Sequence, residues 1–531
     1  MVTREERTWV IRVGLLVMFI TTLPYLLGYF NQGSEWKYSG FVFGLEDGNS
    51  YIAKMLSGAS GNWLFYTPYT AYPQNGFIAF LPYLLLGKLT SPPAQHDQLV
   101  GLFHLFRFGA GLVAFLATYN LIAIFIRTVA LRKVGTLVAV LGGGLGWLST
   151  LGLGALWGDR LPLEYYSPET FGFLSILGLP HLALARALLL WGLSRYINPD
   201  GQKSEVYYSI ISGLIWFLLS LIQPLTAITG WLLIGVHIVV SWIMGFKKSG
   251  LDSRFYIYIR RAIFQILISS PIIIYTIISI QTDNFLREWT KQNLVISPQI
   301  SDYLLAYLPV IAFSFLGMRE ILKIKNQNGN LLVGWIIIIP ILIYIPFNLS
   351  RRLLDGTWVI ITILAFIWLE GIYLHKTKMI IQIQWVTYLS SFMILLGGIQ
   401  VVQTLKEPVY LPALKVESFN YLGENALPGS VVLGSYLSSN PLPAWAPVQT
   451  VTGHGSESIF FQKTQNQITN FYSKAVADDY RREFIHQFQI KYIVFGPDEE
   501  KLGNWQPTFE GYIIQVYQND SYKCYKVVDF N

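Results

Sequence analysis

The amino-acid sequence predicts a polytopic α-helical membrane protein with about eleven transmembrane helices and a C-terminal extracytoplasmic α/β domain. Three observations lead there. Charged residues make up only 13% of the 531 residues and the hydrophobic set AVILMFWYC makes up 53%, against roughly 25% and roughly 45–50% in soluble domains. Mean hydropathy is +0.44. The charge balance also changes along the chain: residues 1–404 carry 28 Lys/Arg and 18 Asp/Glu, whereas residues 405–531 carry 10 and 13. Such a chain is neither disordered nor a purely soluble enzyme. Its overall charge of +7 belongs to membrane-domain loops, so no nucleic-acid partner is expected. The single cysteine, Cys524, excludes an intramolecular disulfide, a cysteine-ligated zinc site and an iron–sulfur cluster.

The membrane domain, 1–404, is read from apolar runs at 8–30, 99–126, 134–157, 172–193, 205–222, 225–246, 262–282, 302–318, 331–348, 357–374 and 379–404. Each approaches the ~20 residues that a helix needs to cross a bilayer. The first run is long and lacks a small-residue cleavage site, so it reads as an uncleaved anchor. The run 77–89 is shorter and contains Pro82, which suits an interfacial or re-entrant segment. Sidedness tests the count. With a cytoplasmic N-terminus and 77–89 kept outside, the inside loops hold 17 basic residues: Arg4, Arg7, Arg127, Arg132, Lys133, Arg195, Lys203, Lys247, Lys248, Arg254, Arg260, Arg261, Arg319, Lys323, Lys325, Lys376 and Lys378. The outside loops hold eight: Lys37, Lys54, Lys88, Arg160, Arg287, Lys291, Arg351 and Arg352. This obeys the positive-inside rule, and a spanning 77–89 would invert every later loop.

The tail, 405–531, reads as a soluble α/β domain. VVLGSYL (431–437) and KYIVFGP (491–497) read as buried strands, 459–488 as mostly helical, and GYIIQVYQNDSYKCYKVV as a closing hairpin turning at Asn519-Asp520.

On this topology eleven of the eighteen membrane-domain acids face outside: Glu35, Glu46, Asp47, Asp97, Asp159, Glu164, Glu169, Asp283, Glu288, Asp302 and Asp355. Most need no role beyond loop solvation. The first outside loop, 31–98, is different, being long and dense in features. In FGLEDGNSYIAKMLSG, Glu46 and Asp47 precede a short helix expected at 49–57. Asp47 is either a helix cap or a carboxylate held at the membrane surface as general base or metal ligand. Trp63, Phe65, Tyr66, Tyr69 and Tyr72 follow; they suit an interfacial belt and also stacking on a sugar ring.

This layout resembles the GT-C superfamily of integral-membrane glycosyltransferases: one span, a large outside loop with an acidic pair and a short helix, many further spans, and an outside soluble tail. Protein O-mannosyltransferases, lipid A aminoarabinose transferases and oligosaccharyltransferases are members. The resemblance implies a polyprenyl-phosphate-linked sugar donor. It also implies that Asp47, with Glu46 beside it, is the catalytic base or a metal ligand, and that Tyr51, four residues on, is a substrate contact. The sequence departs from the pattern in two places. It lacks the oligosaccharyltransferase WWD motif, and its tail is α/β where O-mannosyltransferases carry a β-trefoil. The acceptor therefore does not carry over: a lipid, a glycan and a protein all remain open.

Other residues invite roles. Arg351-Arg352 in a short outside loop suit bidentate phosphate binding, as a hold on the donor phosphate; headgroup binding or a salt bridge to Asp355 is the plainer reading. Arg186 and Arg107 sit within spans, where ionisable groups face a cavity or a partner; Arg186 is a second candidate for the donor phosphate. His181 and Gln223 are candidate substrate contacts, Gln223-Pro224 as a broken turn. A divalent metal is left open, with Asp47 and either Asp159 or Glu164 as its ligands. LGGGLGWLSTLGLG (141–154) reads as a close-packing face inside a span. TGHGSES (452–458) reads as a loop folding back over the site, with His454 and Glu457 contacting the acceptor; it is not a GxSxG elbow.

The expected function is transfer of a sugar from a polyprenyl-phosphate donor to a cell-envelope acceptor on the outer face of the plasma (inner) membrane, among membrane lipids. A transporter or lipid flippase, and a non-catalytic scaffold, are the competing classes. Against transport, no repeated pair of broken spans is visible.

Overall fold

The computed structural model describes residues 2–197, 205–246, 253–324, 327–372, 377–503, 505, 507 and 511–528. Lys203, Lys247, Lys248, Lys325 and Lys376 of the inside set lie outside the described residues. In chain order, α1 (Arg4–Asn31), β1 (Trp36–Tyr38), α2 (Leu45–Ala59) and α3 (Leu81–Gly87) are followed by α4 (Gln95–Phe125), α5 (Val129–Leu141), α6 (Phe173–Gly178), α7 (Pro180–Ile197), α8 (Glu205–Ile222), α9 (Pro224–Phe246) and α10 (Ser253–Thr282). Then come α11 (Asn284–Gln292), α12 (Ile300–Ile324), α13 (Gly329–Leu342), α14 (Thr357–Ile372) and α15 (Thr377–Val401). The chain is a multi-pass helical membrane protein. Among the described residues seven helices are long and apolar enough to cross a bilayer, and the segments Val206–Ile222 and Gly329–Leu342 are shorter apolar helices. All eleven apolar runs of the sequence contain helix. At seven residues, α3 is about 10 Å long and too short to span.

The chain divides into two compact units: Met1–Leu23, Phe106–Ile277 and Leu294–Gly397 in the first; Pro24–Leu105, Ile278–Asn293 and Gly398–Asn531 in the second. In the first unit α14 is buried along its first ten residues, Thr357–Phe366. The glycine-rich run departs from expectation. It is not a helix face: α5 ends at Leu141 and the chain breaks before a π turn at Ser149–Leu153. A Cβ on Gly144 would run into the carbonyl oxygen of Ala306, and one on Gly143 would come within 2.9 Å of Ser390. The glycines do serve close packing, but of an irregular backbone.

The second unit holds the sheet domain. Strand β2 (Tyr410–Pro412) pairs antiparallel with β1, Tyr38 opposite Tyr410, and so ties the first loop to the tail. After α16 (Ala413–Asn425), the elements are β3 (Val431–Leu433), α17 (Tyr436–Ser439), α18 (Leu442–Trp445), β4 (Gln449–Thr450), α19 (Phe461–Tyr472), α20 (Asp478–Phe488), β5 (Ile490–Phe495), α21 (Pro497–Gly503), β6 (Ile513–Gln518) and β7 (Lys523–Val527). The described residues form a five-stranded sheet in the order β4-β3-β5-β7-β6. β3 is parallel to β4 and β5, and the β6–β7 hairpin is antiparallel. The expected strand at 431–437 stops at Leu433, because the Ser435 hydroxyl accepts the Ser438 N–H and starts α17. Side chains alternate between the two faces: Leu433 and Ile493 pack with Phe471, Phe484 and Phe488 on one, while Val432 and Val494 pack with Phe419, Leu422 and Cys524 on the other.

Candidate functional site

In the second unit α2 carries the acidic pair. The helix starts earlier than the sequence suggested, so Glu46 and Asp47 lie inside its first turn. Asp47 does not cap it: the cap position is Gly44, in the left-handed region at φ 58° and without a side-chain bond. Asp47, Ser50 and Lys54 follow an i, i+3, i+7 spacing and share one face.

The tail loop 452–458 meets that face. His454 Nε2 lies 3.3 Å from Asp47 Oδ1, with the imidazole buried and the Asp47 side chain 53% exposed. Glu457 Oε1 takes Lys54 Nζ at 2.5 Å, and the ammonium is wholly buried. Ser50 donates to the same oxygen at 2.5 Å and Thr67 to Oε2 at 2.9 Å; Lys54 also donates to Ser50. The loop is pinned by Ser458, whose hydroxyl accepts the N–H groups of Gly453 and His454 at 3.1 Å and donates to Tyr69 O at 2.8 Å. The Tyr69 hydroxyl donates to Asn440 O, and Asn49 donates to the Asn440 side chain. Burial pushes the His454 pKa down, but Asp47 and Glu457 outweigh it and the net shift is up. Burial pushes Glu457 up, but Lys54 and His454 hold it below its ordinary value. Tyr436 is pushed up by burial and by its hydrogen bond to Glu46. Tyr51 is buried in an aromatic stack, 4.7 Å from Tyr83 and 5.9 Å from Phe103 between centroids.

The first unit holds a cavity lined by Pro168, Glu169, Leu182, Arg186, Gln223, Thr226, Arg352 and Asp355. Arg186 is bound to Asp355 at 2.6 Å and donates to Pro168 O. Asp355 therefore answers Arg186 rather than the Arg351-Arg352 pair. Glu169 faces that pair, 3.8 Å from Arg351 Nε and 3.9 Å from Arg352 Nε. The Arg351 guanidinium lies 4.9 Å from the centre of the Tyr166 ring. Gln223, just before α9 begins at Pro224, does line the cavity, while His181 is buried in the first turn of α7. Arg107 is fully buried and donates to Thr21, Thr22 and Ile176 O.

The acids named for a metal have other surroundings. Glu164 is buried, accepts the Gly146 N–H at 2.8 Å and is pushed up to about 7 by burial. Asp159 is exposed in a turn at φ 60°. Among the described residues no three His, Cys, Asp or Glu side chains converge as a metal site would need. Two groups escaped the sequence reading: Lys54, counted only as a loop charge, and Glu169, counted only as a solvated acid. Their partners lie far along the chain, and the signal for Lys54 was its place on the Asp47–Ser50 face of α2.

No protein-family model and no curated protein matches the sequence. Solved structures do match the fold. The oligosaccharyltransferase of Archaeoglobus fulgidus in its apo form aligns at a TM-score of 0.57 and 10% identity, over 93% of this chain and 70% of that one. The arabinofuranosyltransferase AftD from Mycobacteria aligns at 0.54 and 13% identity, over 98% and 40%. ArnT from Cupriavidus metallidurans in the apo state aligns at 0.50 and 10% identity, over 96% and 97%. These neighbours are GT-C glycosyltransferases, and the chain has the GT-C fold.

Proposed function

We propose that the protein is a glycosyltransferase that moves a sugar from a polyprenyl-phosphate-linked donor to a cell-envelope acceptor. The reaction takes place on the outer face of the plasma (inner) membrane, with the N-terminus cytoplasmic and the tail domain extracytoplasmic. The observation that carries the reading is the Asp47–His454 pair: a half-exposed carboxylate at a helix N-terminus, 3.3 Å from a buried imidazole. Asp47 takes the acceptor proton as the anomeric carbon passes through an oxocarbenium-like state. His454 holds its orientation, and Glu46 is its neighbour in the first turn of the helix. In the first unit Arg351 and Arg352 are assigned to the donor phosphate and to its stabilisation as it leaves, with Arg186, paired to Asp355, lining the same cavity as Arg352. The GT-C fold supports the reading; one oligosaccharyltransferase structure with that fold is described as a complex with dolichol phosphate. The sidedness rests on the basic residues counted on each side of the membrane.

The test offers the purified protein, with membrane lipid extract as acceptor, a panel of labelled polyprenyl-phosphate sugars. Wild type should release sugar from one of them, and Asp47→Asn, folded normally, should lose at least about a hundredfold in rate. Unchanged turnover in Asp47→Asn would sink the assignment of the base. Donor binding without turnover in the wild type would turn the reading towards transport.

A further inference from the structure

The cavity of the first unit has a definite charge count. Arg186 is matched by Asp355 at 2.6 Å. Nearby Arg160 is matched at two points by Asp302, at 2.8 and 3.3 Å. Arg351 and Arg352 face Glu169, at 3.8 and 3.9 Å. Those last distances exceed the 2.7–3.2 Å of an N–H···O bond, so they are charge contacts without hydrogen bonds. The Nε atoms of both arginines are buried and lack a hydrogen-bond partner. Buried donors left in that state favour a ligand that supplies acceptors. Glu169 is itself fixed, since the Ser167 hydroxyl donates to its Oε2 at 3.2 Å. The charged lining residues balance, Arg186 and Arg352 against Asp355 and Glu169, and Arg351, outside the lining but 3.8 Å from Glu169 and against Tyr166, adds one uncompensated positive charge.

We propose that Glu169 sets the charge of this cavity so that it accepts the monoanionic phosphodiester of a single-phosphate lipid-linked sugar and discriminates against a diphosphate-linked one. The inference rests on the donor reading above and narrows it. A phosphodiester carries one negative charge, which meets the one positive charge left over, and an oxygen of it takes the Arg352 Nε–H donor that Glu169 approaches but does not bond. A diphosphate diester brings two charges, and the second faces the Glu169 carboxylate uncompensated in a poorly screened site. The lipid monophosphate released by transfer carries about −1.5 to −2 near neutral pH. It is likewise over-charged for the cavity, which favours its departure. Glu169 is therefore a specificity-determining residue acting through the arginines.

The test measures calorimetric binding of two synthetic probes, farnesyl methyl phosphate (a monoanionic diester) and farnesyl methyl diphosphate (a dianionic one), to the full-length protein in detergent. Wild type should prefer the monophosphate by about tenfold. Glu169→Gln should tighten the diphosphate and close that gap, while Glu169→Asp should keep it. Arg352→Gln, which removes a positive charge, should widen it, and this arm stands even if Glu169→Gln fails to fold. A gap unchanged in Glu169→Gln, or equal weakening of both probes, overturns the role of Glu169. A wild type that transfers sugar but binds both probes alike overturns this inference and leaves the transferase reading standing. A wild type that binds neither probe overturns the inference together with the phosphate role of the arginines.

Discussion

The two charged clusters of this molecule are built from similar parts and matched in opposite ways. In the second unit Lys54 and Glu457 meet at 2.5 Å, with Ser50 and Thr67 on the remaining carboxylate positions. In the first unit Glu169 stands 3.8 and 3.9 Å from two guanidiniums whose Nε atoms are buried without a hydrogen-bond partner. A short pair with its hydrogen bonds satisfied offers little to a ligand and holds segments together. A long, unsatisfied one costs free energy until something arrives to complete it. The contrast separates a structural ion pair from a binding one by geometry alone.

The sharpest way to break the contrast is to remove one half of the satisfied pair. Lys54→Met leaves Glu457 buried without its cation and should destabilise the protein by about 3–5 kcal/mol, read as a lowered thermal midpoint in detergent. The double variant Lys54→Met/Glu457→Met should recover much of that loss, because no uncompensated charge remains. Thermal midpoints equal for Lys54→Met and wild type would show that the pair holds nothing. Arg351→Lys probes the other cluster. It keeps the charge but loses the planar donor set and the contact with Tyr166. It should weaken the phosphodiester probe by about tenfold while stability changes by no more than about 1 kcal/mol. A fall in stability with affinity unchanged would make Arg351 a structural residue and collapse the distinction.

The same contrast explains what could be read from the sequence. The spanning helices and the tail hairpin follow from local signals: apolar length, alternation, and turn residues such as Asn519-Asp520. Asp47, His454 and Glu457 were nameable because a loop acid beside a helix and a glycine-flanked histidine stand out by type, and the structure brings His454 to Asp47 and Glu457 to the same helix. Their partners were not nameable. Lys54 lies 403 residues from Glu457, and no local pattern encodes that pairing. The break after Leu141 was equally hidden, because glycines in an apolar run fit both a packed helix face and an irregular crossing. The contact that requires glycine there, the carbonyl of Ala306 beside Gly144, comes from a distant helix.

The smallest expected effect concerns a satisfied cluster in the sheet domain, and it sharpens the comparison by titration. Lys415, wholly buried, binds Glu407 and Asp498 at 2.8 Å each. Burial alone would push the Asp498 pKa up, but Lys415 and Lys501 outweigh it and hold the group below its ordinary 3.8. A depressed carboxylate contributes stability that is present above its ordinary value and is lost as pH falls through the folded one. Wild type should therefore lose tail stability progressively below about pH 4. Asp498→Asn should begin less stable at neutral pH and lose less over the same window. Glu499 next to it is shifted up by burial and titrates in the opposite sense, so the difference between the two proteins isolates Asp498. Cys524 supplies the readout. Its thiol is buried and pushed up to about 12 by burial, so a disulfide reagent active in acid, such as dithiodipyridine, reaches it when the sheet opens. Parallel opening rates in the two proteins from pH 5 to pH 3 would mean that the Lys415 cluster is not held by charge, and that short distance alone does not identify a structural ion pair.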